Sequence, residues 1–126
     1  MFIFARKILN NEPIPIFNHG KMKRDFTYID DIISGTRKAI EKNYACEVFN
    51  IGNNKSEKLM DMIALIEKEL GRQAKKRLLP IQPGDIPESF ANIEKSKQML
   101  GYKPTTNINE GIQHFISWYK NYYKIW

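Results

Sequence analysis

Glu47-Val48-Phe49-Asn50-Ile51 is a short run of strand-forming residues closed by Gly52, and it stands between two amphipathic helical patterns. Upstream, Ile29, Ile32, Ile33, Thr36 and Ile40 recur at helical spacing and predict a helix over about 28–43, in which Gly35 permits close packing. Downstream, Asn54 with Glu57 reads as the cap of a helix whose stripe is Leu59, Met62, Ile63, Ile66 and Leu70, before Gly71. Helices and a strand in this order form the outer layer of a parallel sheet, whose faces helices cover. The other strands of such a sheet are not in the sequence. The pattern therefore predicts an α/β chain that is a single incomplete domain over 1–126, with 28–70 packing on a sheet it does not contain.

The remaining segments fill in the order. Phe4, Ile8 and Leu9 mark one face of a helix over about 2–10, ended by Asn10-Asn11 and Pro13. Pro13-Ile14-Pro15-Ile16-Phe17 reads as a short extended edge segment, because proline cannot donate to a ladder, and Asn18-His19-Gly20 as a polar turn. Arg77-Leu78-Leu79-Pro80-Ile81 predicts a strand, followed by the irregular Pro83-Gly84-Asp85-Ile86-Pro87 loop. Asn92 caps a short helix that Gly101 ends. Asn107 with Glu110 caps a last helix over about 108–124, with Ile108, Ile112, Phe115, Tyr119 and Tyr122 as its stripe. Phe115, Trp118 and Tyr119 recur at core spacing and read as packing rather than as a base-stacking platform.

Composition narrows the function classes. A chain of 126 residues, 42% hydrophobic and 27% charged, supports one globular domain with a modest core. The net charge of +6 suits anionic partners. Yet many of the lysines (Lys38, Lys42, Lys58, Lys68, Lys95, Lys97) are spread along helical faces, and neither a recognition helix nor basic residues interleaved with aromatic ones is present. Nucleic acid is not an expected partner. The single cysteine, Cys46, excludes an intrachain disulfide and fits a reducing compartment. His19 and His114 stand at no ligand spacing, so no metal site is expected. No apolar run is long enough to span a membrane or to act as a signal peptide, which points to a cytoplasmic chain without a membrane partner.

The chemistry is concentrated in Lys21-Met22-Lys23-Arg24-Asp25-Phe26-Thr27-Tyr28-Ile29-Asp30-Asp31, where three cations precede a helix entry. The basic residues offer charge and donors to a phosphate, and Thr27 with Asp30 makes a capping-box-like start. Asp25, Asp30 and Asp31 fit helix-start electrostatics better than acid/base work, and no residue is assigned a catalytic role. Gly52-Asn53 follows a strand as a nucleotide loop does, but helix entry explains it more simply.

Four stretches, in order and spread over nearly the whole chain, resemble a known family: Lys21 to Asp31, then Phe49-Asn50-Ile51-Gly52-Asn53, then Gln82-Pro83-Gly84-Asp85-Ile86-Pro87-Glu88, then Leu100-Gly101-Tyr102-Lys103-Pro104. They are similar to the C-terminal part of the NAD-dependent nucleotide-sugar epimerases, within the extended short-chain dehydrogenase/reductase family, and most of all to UDP-glucuronate 4-epimerases. The resemblance implies the substrate-binding C-terminal portion of an extended Rossmann-type enzyme that lacks its dinucleotide-binding half. It also implies Arg24 on the diphosphate, where a rigid guanidinium fork suits better than a lysine. Asp85 matches a residue that contacts ribose hydroxyls, and Pro15, Ile16 and Phe17 match the segment along which uracil lies. Gln82 stands where galactose-type epimerases carry a second phosphate-binding arginine, and is taken as a mark of the glucuronate subgroup.

Two family elements are missing from the sequence. No pair of glycines is three apart among 20, 35, 52, 71, 84, 101 and 111, so no glycine-rich turn can cradle a pyrophosphate. No tyrosine is followed by lysine four positions on, so the family's Tyr-x-x-x-Lys pair is also missing. The resemblance thus implies a UDP-sugar-binding segment of an NAD-dependent 4-epimerase, of the UDP-glucuronate to UDP-galacturonate type. That segment is not catalytic alone, and it needs a separate half that binds NAD. Full-length relatives are expected to be homodimers. The alternatives are a stand-alone nucleotide-binding module and an inactive truncated product, which UDP affinity and foldedness distinguish.

Overall fold

A computed structural model describes residues 1–125 as five helices and four short strands: α1 (Phe2–Leu9), β1 (Pro13–Ile16), β2 (Lys23–Arg24), α2 (Ile29–Lys42), β3 (Glu57–Lys58), α3 (Leu59–Leu70), β4 (Lys75–Leu78), α4 (Glu94–Leu100) and α5 (Ile108–Tyr122). β1 and β4 pair in parallel, Pro13 opposite Lys75 through Ile16 opposite Leu78, and β2 pairs antiparallel with β3. The expected strand at 77–81 thus begins two residues earlier and ends at Leu78. The turn at Asn18, His19 and Gly20 takes positive φ at all three residues, and the His19 amide donates to Leu79 O at 2.9 Å, tying the turn to the end of β4.

The main core gathers Ala5 and Ile8 of α1, Ile14 and Ile16 of β1, Met62, Ile63, Ile66 and Leu70 of α3, and Ile112, Ile116 and Tyr119 of α5. Its α3 stripe is the one read from the sequence, but it is covered within this chain by α1, β1 and α5. The stripe of α2 behaves differently: Ile29, Ile33 and Ile40 are exposed, while Asp31 and Gly35 face inward. A second, smaller cluster of Ile93, Leu100 and Tyr102 packs with Ala39, Phe49, Ile51 and Ala91. At Gly35 an added Cβ would stand 2.9 Å from Ile51 and 3.1 Å from the Tyr102 ring, so the close packing read at this glycine is real.

Three local expectations are corrected. Residues 47–51 join no ladder, because among the described residues no strand lies beside them and a strand without a partner leaves its backbone unpaired. Thr27 does not cap α2: its hydroxyl donates to Asp25 Oδ1 at 2.9 Å, and the helix begins after Tyr28 with no side-chain cap. Nor do Asn54 and Glu57 cap α3, since Glu57 is spent in β3 opposite Arg24 and α3 starts only at Leu59. The cap at α5 holds, with Asn107 Oδ1 accepting from the Glu110 amide at 3.0 Å.

Candidate functional site

β2 is only two residues long, yet it is flanked on both sides. On one side Arg24 pairs with Glu57, and the Leu59 amide donates to Met22 O at 2.9 Å. On the other, the Lys23 amide donates to Pro87 O at 2.8 Å and the Ser89 amide to Lys23 O at 3.3 Å. This second contact draws the 83–88 loop against the Lys21–Arg24 stretch across more than sixty residues of chain. As a result Arg24 Nη2 donates to Asp85 Oδ1 at 2.6 Å, while Arg24 Nη1 donates to Lys23 O at 2.8 Å. Lys23 Nζ and Glu88 Oε2 stand 3.4 Å apart beside them.

The structure therefore brings together two of the residues singled out from the sequence. Both are about 30% exposed, so the pair is open to a ligand while held by its loop. A guanidinium has five N–H donors, of which two are engaged here, leaving the rest of the fork for an anion. Asp85 also accepts from the Ile86 amide at 2.9 Å, the turn-fixing contact that its position allows. Gln82 is exposed, and its carbonyl accepts from the Asp85 amide at 3.1 Å, closing the same turn. Pro15 and Phe17 are half-buried, but Ile16 is wholly buried in the core, so the 15–17 segment offers a ligand its flanking residues and not the Ile16 side chain.

Sequence reading underrated Asp25. Far from serving a helix start, its carboxylate accepts from the Asn53 amide at 2.8 Å, the Asn54 amide at 3.0 Å, the Ala91 amide at 3.1 Å and the Thr27 hydroxyl. It joins β2 to the 52–54 turn and to the chain just beyond the 83–88 loop. Asp31 is a second such node: buried, it accepts from the Thr105 amide and hydroxyl and from the Thr106 amide. Burial alone pushes its carboxyl upward, and the bonds from Thr105 and Thr106 outweigh that and hold it below the usual carboxylate range. The signal that was available is the pairing of an acidic residue with a distant Gly-Asn-Asn turn, whose free amides need an acceptor.

No glycine cradle for NAD exists among the described residues. At Gly52, the one glycine that follows the 47–51 run, an added Cβ would lie 2.6 Å from Ala91 Cβ and 2.9 Å from Asp25 Oδ2, so the space is filled. The residues present do not fit the dinucleotide. A separate apolar cavity of about 520 Å³ opens beside Phe2, Phe26, Tyr28, Ile32, Ile112 and Trp118; neither Arg24 nor Asp85 lines it. No helix among the described residues is long and apolar enough to cross a membrane, and no group of three metal-ligating side chains occurs among them.

The described residues form a mixed α/β arrangement in which Arg24 meets Asp85 and the turn at Gly52 is filled. Residues 1–52 match the model of the NAD dependent epimerase/dehydratase family. An uncharacterised protein of Methanocaldococcus jannaschii is 48% identical over 118 residues, covering 94% of this chain and 36% of the relative. UDP-glucuronate 4-epimerase 4 of Arabidopsis thaliana is 39% identical over 139 residues, covering 97% and 32%. The crystal structure of UDP-glucuronic acid 4-epimerase from Bacillus cereus, in complex with UDP-glucuronic acid and NAD, superposes with a TM-score of 0.86 at 35% identity, covering 95% of this chain and 39% of that one. The chain thus spans about a third to two fifths of the length of the proteins it matches. In sequence and fold it corresponds to a C-terminal portion of members of the NAD dependent epimerase/dehydratase family.

Proposed function

We infer that this chain is the UDP-sugar-binding portion of a nucleotide-sugar 4-epimerase of the UDP-glucuronate to UDP-galacturonate type. In that reading Arg24 contacts the diphosphate, Asp85 a ribose hydroxyl, and the 15–17 segment lies along the uracil, with Gln82 beside the loop. The observation that carries it is the meeting of Arg24 and Asp85 at 2.6 Å, with Arg24 held by its pairing to Glu57 and the loop of Asp85 held by the Lys23–Pro87 backbone bond. A diphosphate needs a fixed cation with spare donors, and a ribose needs an acceptor next to it; the pair supplies both in one place. In the apo chain Asp85 holds the Arg24 fork in orientation, so little side-chain freedom is lost when an anion arrives. Hydride chemistry belongs to the dinucleotide, for which these residues form no site, so the isolated chain binds without turning over.

The test is calorimetric titration of the full chain with UDP and with UDP-glucuronate. Binding is expected, and Arg24→Ala is expected to weaken it by about 1.5 to 3 kcal/mol, the range for a hydrogen bond to a charged group. Asp85→Asn, which keeps an acceptor but removes the charge, should weaken UDP by more than it weakens inorganic pyrophosphate, since it loosens the Arg24 fork for both but removes the ribose acceptor for UDP alone. Equal affinity in Arg24→Ala and the parent chain removes Arg24 from the site and the reading with it.

A further inference from the structure

Asp25 follows Arg24 directly, and its carboxylate is fully engaged. Oδ1 accepts from the Asn53 amide at 2.8 Å and the Thr27 hydroxyl at 2.9 Å, and Oδ2 from the Asn54 amide at 3.0 Å and the Ala91 amide at 3.1 Å. An ionised carboxylate offers about four acceptor sites, so none is left for a ligand. Gly52 closes the group from the side, since a Cβ there would stand 2.9 Å from Asp25 Oδ2. The place of Ala91 in this set matters most. Beyond the 83–88 loop the chain runs along β2 in steps of two: the Lys23 amide donates to Pro87 O and the Ser89 amide to Lys23 O. If that parallel pairing continued, the Ala91 amide would meet the Asp25 carbonyl. It meets the Asp25 carboxylate instead. The loop that bears Asp85 is therefore fastened to the residue before Arg24 by backbone and to the residue after it by a charged side chain.

We propose that Asp25 is a positioning residue of the nucleotide site: by holding Ala91 it sets where Asp85 stands, and hence how the Arg24 fork is presented to a phosphate, without touching the ligand itself. The idea rests on the reading of Arg24 and Asp85 as a UDP site. Anchors on both sides of Arg24 fix the angle of the loop as well as its distance, whereas the Lys23 bonds alone leave it free to pivot. The contact under control is exacting. Arg24 Nη2 and Asp85 Oδ1 are 2.6 Å apart, and a shift of about 1 Å breaks a hydrogen bond of this kind. Asp31 supplies the comparison. It too accepts amides from distant chain, at Thr105 and Thr106, but none of its partners belongs to β2 or to the 83–88 loop. Loss of either carboxylate costs stability, and only loss of Asp25 reaches the ligand.

The experiment compares Asp25→Asn with Asp31→Asn in the full chain. Asparagine at 25 keeps the shape but turns an amide donor toward backbone amides that need an acceptor. Calorimetric titration with UDP is expected to show Asp25→Asn weakened about tenfold, near the upper cost of ordering one long side chain on binding. Asp31→Asn should stay within about twofold of the parent, as a site without shared partners does, and in the Arg24→Ala chain Asp25→Asn should add no further loss. The guanidinium NMR signals of Arg24, recorded without ligand, give a second readout: resolved in the parent and in Asp31→Asn, averaged by free rotation in Asp25→Asn. Equal weakening by the two asparagine variants, or Arg24 signals unchanged in Asp25→Asn, overturns the proposal. If Asp25→Asn does not fold, amide exchange in the parent decides. Slower exchange at Asn53, Asn54 and Ala91 on adding UDP, with Thr105 and Thr106 unaffected, retains the proposal by reciprocity of coupling, and no slowing at those three overturns it. A parent chain that binds no UDP removes the nucleotide assignment, and the Arg24 signals then separately retain or overturn the hold of Asp25 on the fork.

Discussion

Two carboxylates set the local architecture, and both do so by accepting backbone amides from distant chain. Asp25 fixes the 52–54 turn and Ala91 relative to Arg24, and Asp31, in the first turn of α2, fixes Thr105 and Thr106. Asp31→Asn keeps the shape but loses the charge that strengthens these bonds, so a stability loss of about 1 to 3 kcal/mol at neutral pH is expected from urea unfolding. The pH dependence has a definite sign. The folded carboxyl lies below its ordinary value of 3.8, so its contribution is complete above that value and is lost as pH falls through the folded pKa. The parent and Asp31→Asn chains should therefore converge in strongly acidic solution; a constant gap at all pH values would assign the effect to packing. Tyr102 acts at the other end of the scale: burial, then the fields of Asp31 and Asp25, push its hydroxyl up to about 12, so its contribution is present below 10 and fades as pH rises toward 12. Arg24→Ala belongs to this scale too, since a single fork is asked to supply the phosphate contact.

Among the elements, α2 carries the sharpest contrast between local preference and tertiary demand. Replacing glycine by alanine inside a helix gains up to about 1 kcal/mol of propensity. At Gly35 the new methyl would meet Ile51 at 2.9 Å, and overpacking of this kind costs about 1 to 3 kcal/mol. Gly35→Ala is therefore expected to destabilise, with the loss read as a lower denaturation midpoint and altered amide shifts at Phe49 and Ile51; a stabilised variant would show that the smaller cluster yields freely. The helices themselves were legible because their signals are local: apolar spacing, Gly71 and Gly101 at positive φ after α3 and α4, and an asparagine at the entry to α5. The caps at Thr27 and Asn54 were misread for a physical reason. Asp25 competes for both segments, taking the Thr27 hydroxyl and the Asn54 amide, and a charged acceptor wins over a neutral hydroxyl.

At the scale of the molecule, one face is finished and another is not. The core of α1, β1, α3 and α5 closes on itself, while Ile29, Ile33 and Ile40 remain on the surface together with the aromatic group of Phe2, Trp118 and Tyr122. Apolar area of this extent drives association, so the isolated chain should show concentration-dependent species in sedimentation velocity, reduced by Ile33→Lys with Ile40→Lys. A monomer at all concentrations would mean that the bare stripe is too narrow to matter. The same contrast separates what the residues announce from what folding decides. The helices and the turn at Pro83-Gly84 follow from the sequence, because periodicity and backbone restriction act over a few neighbouring residues, whereas Arg24 and Asp85 stand out as site candidates through the resemblance of their motifs to a known family. Which helix stripe is covered, which acid is a structural node, and that Arg24 meets Asp85 across the Lys23 and Pro87 backbones were decided only by the tertiary structure, because each depends on groups far apart in the chain whose pairing energy exists only once the chain has closed.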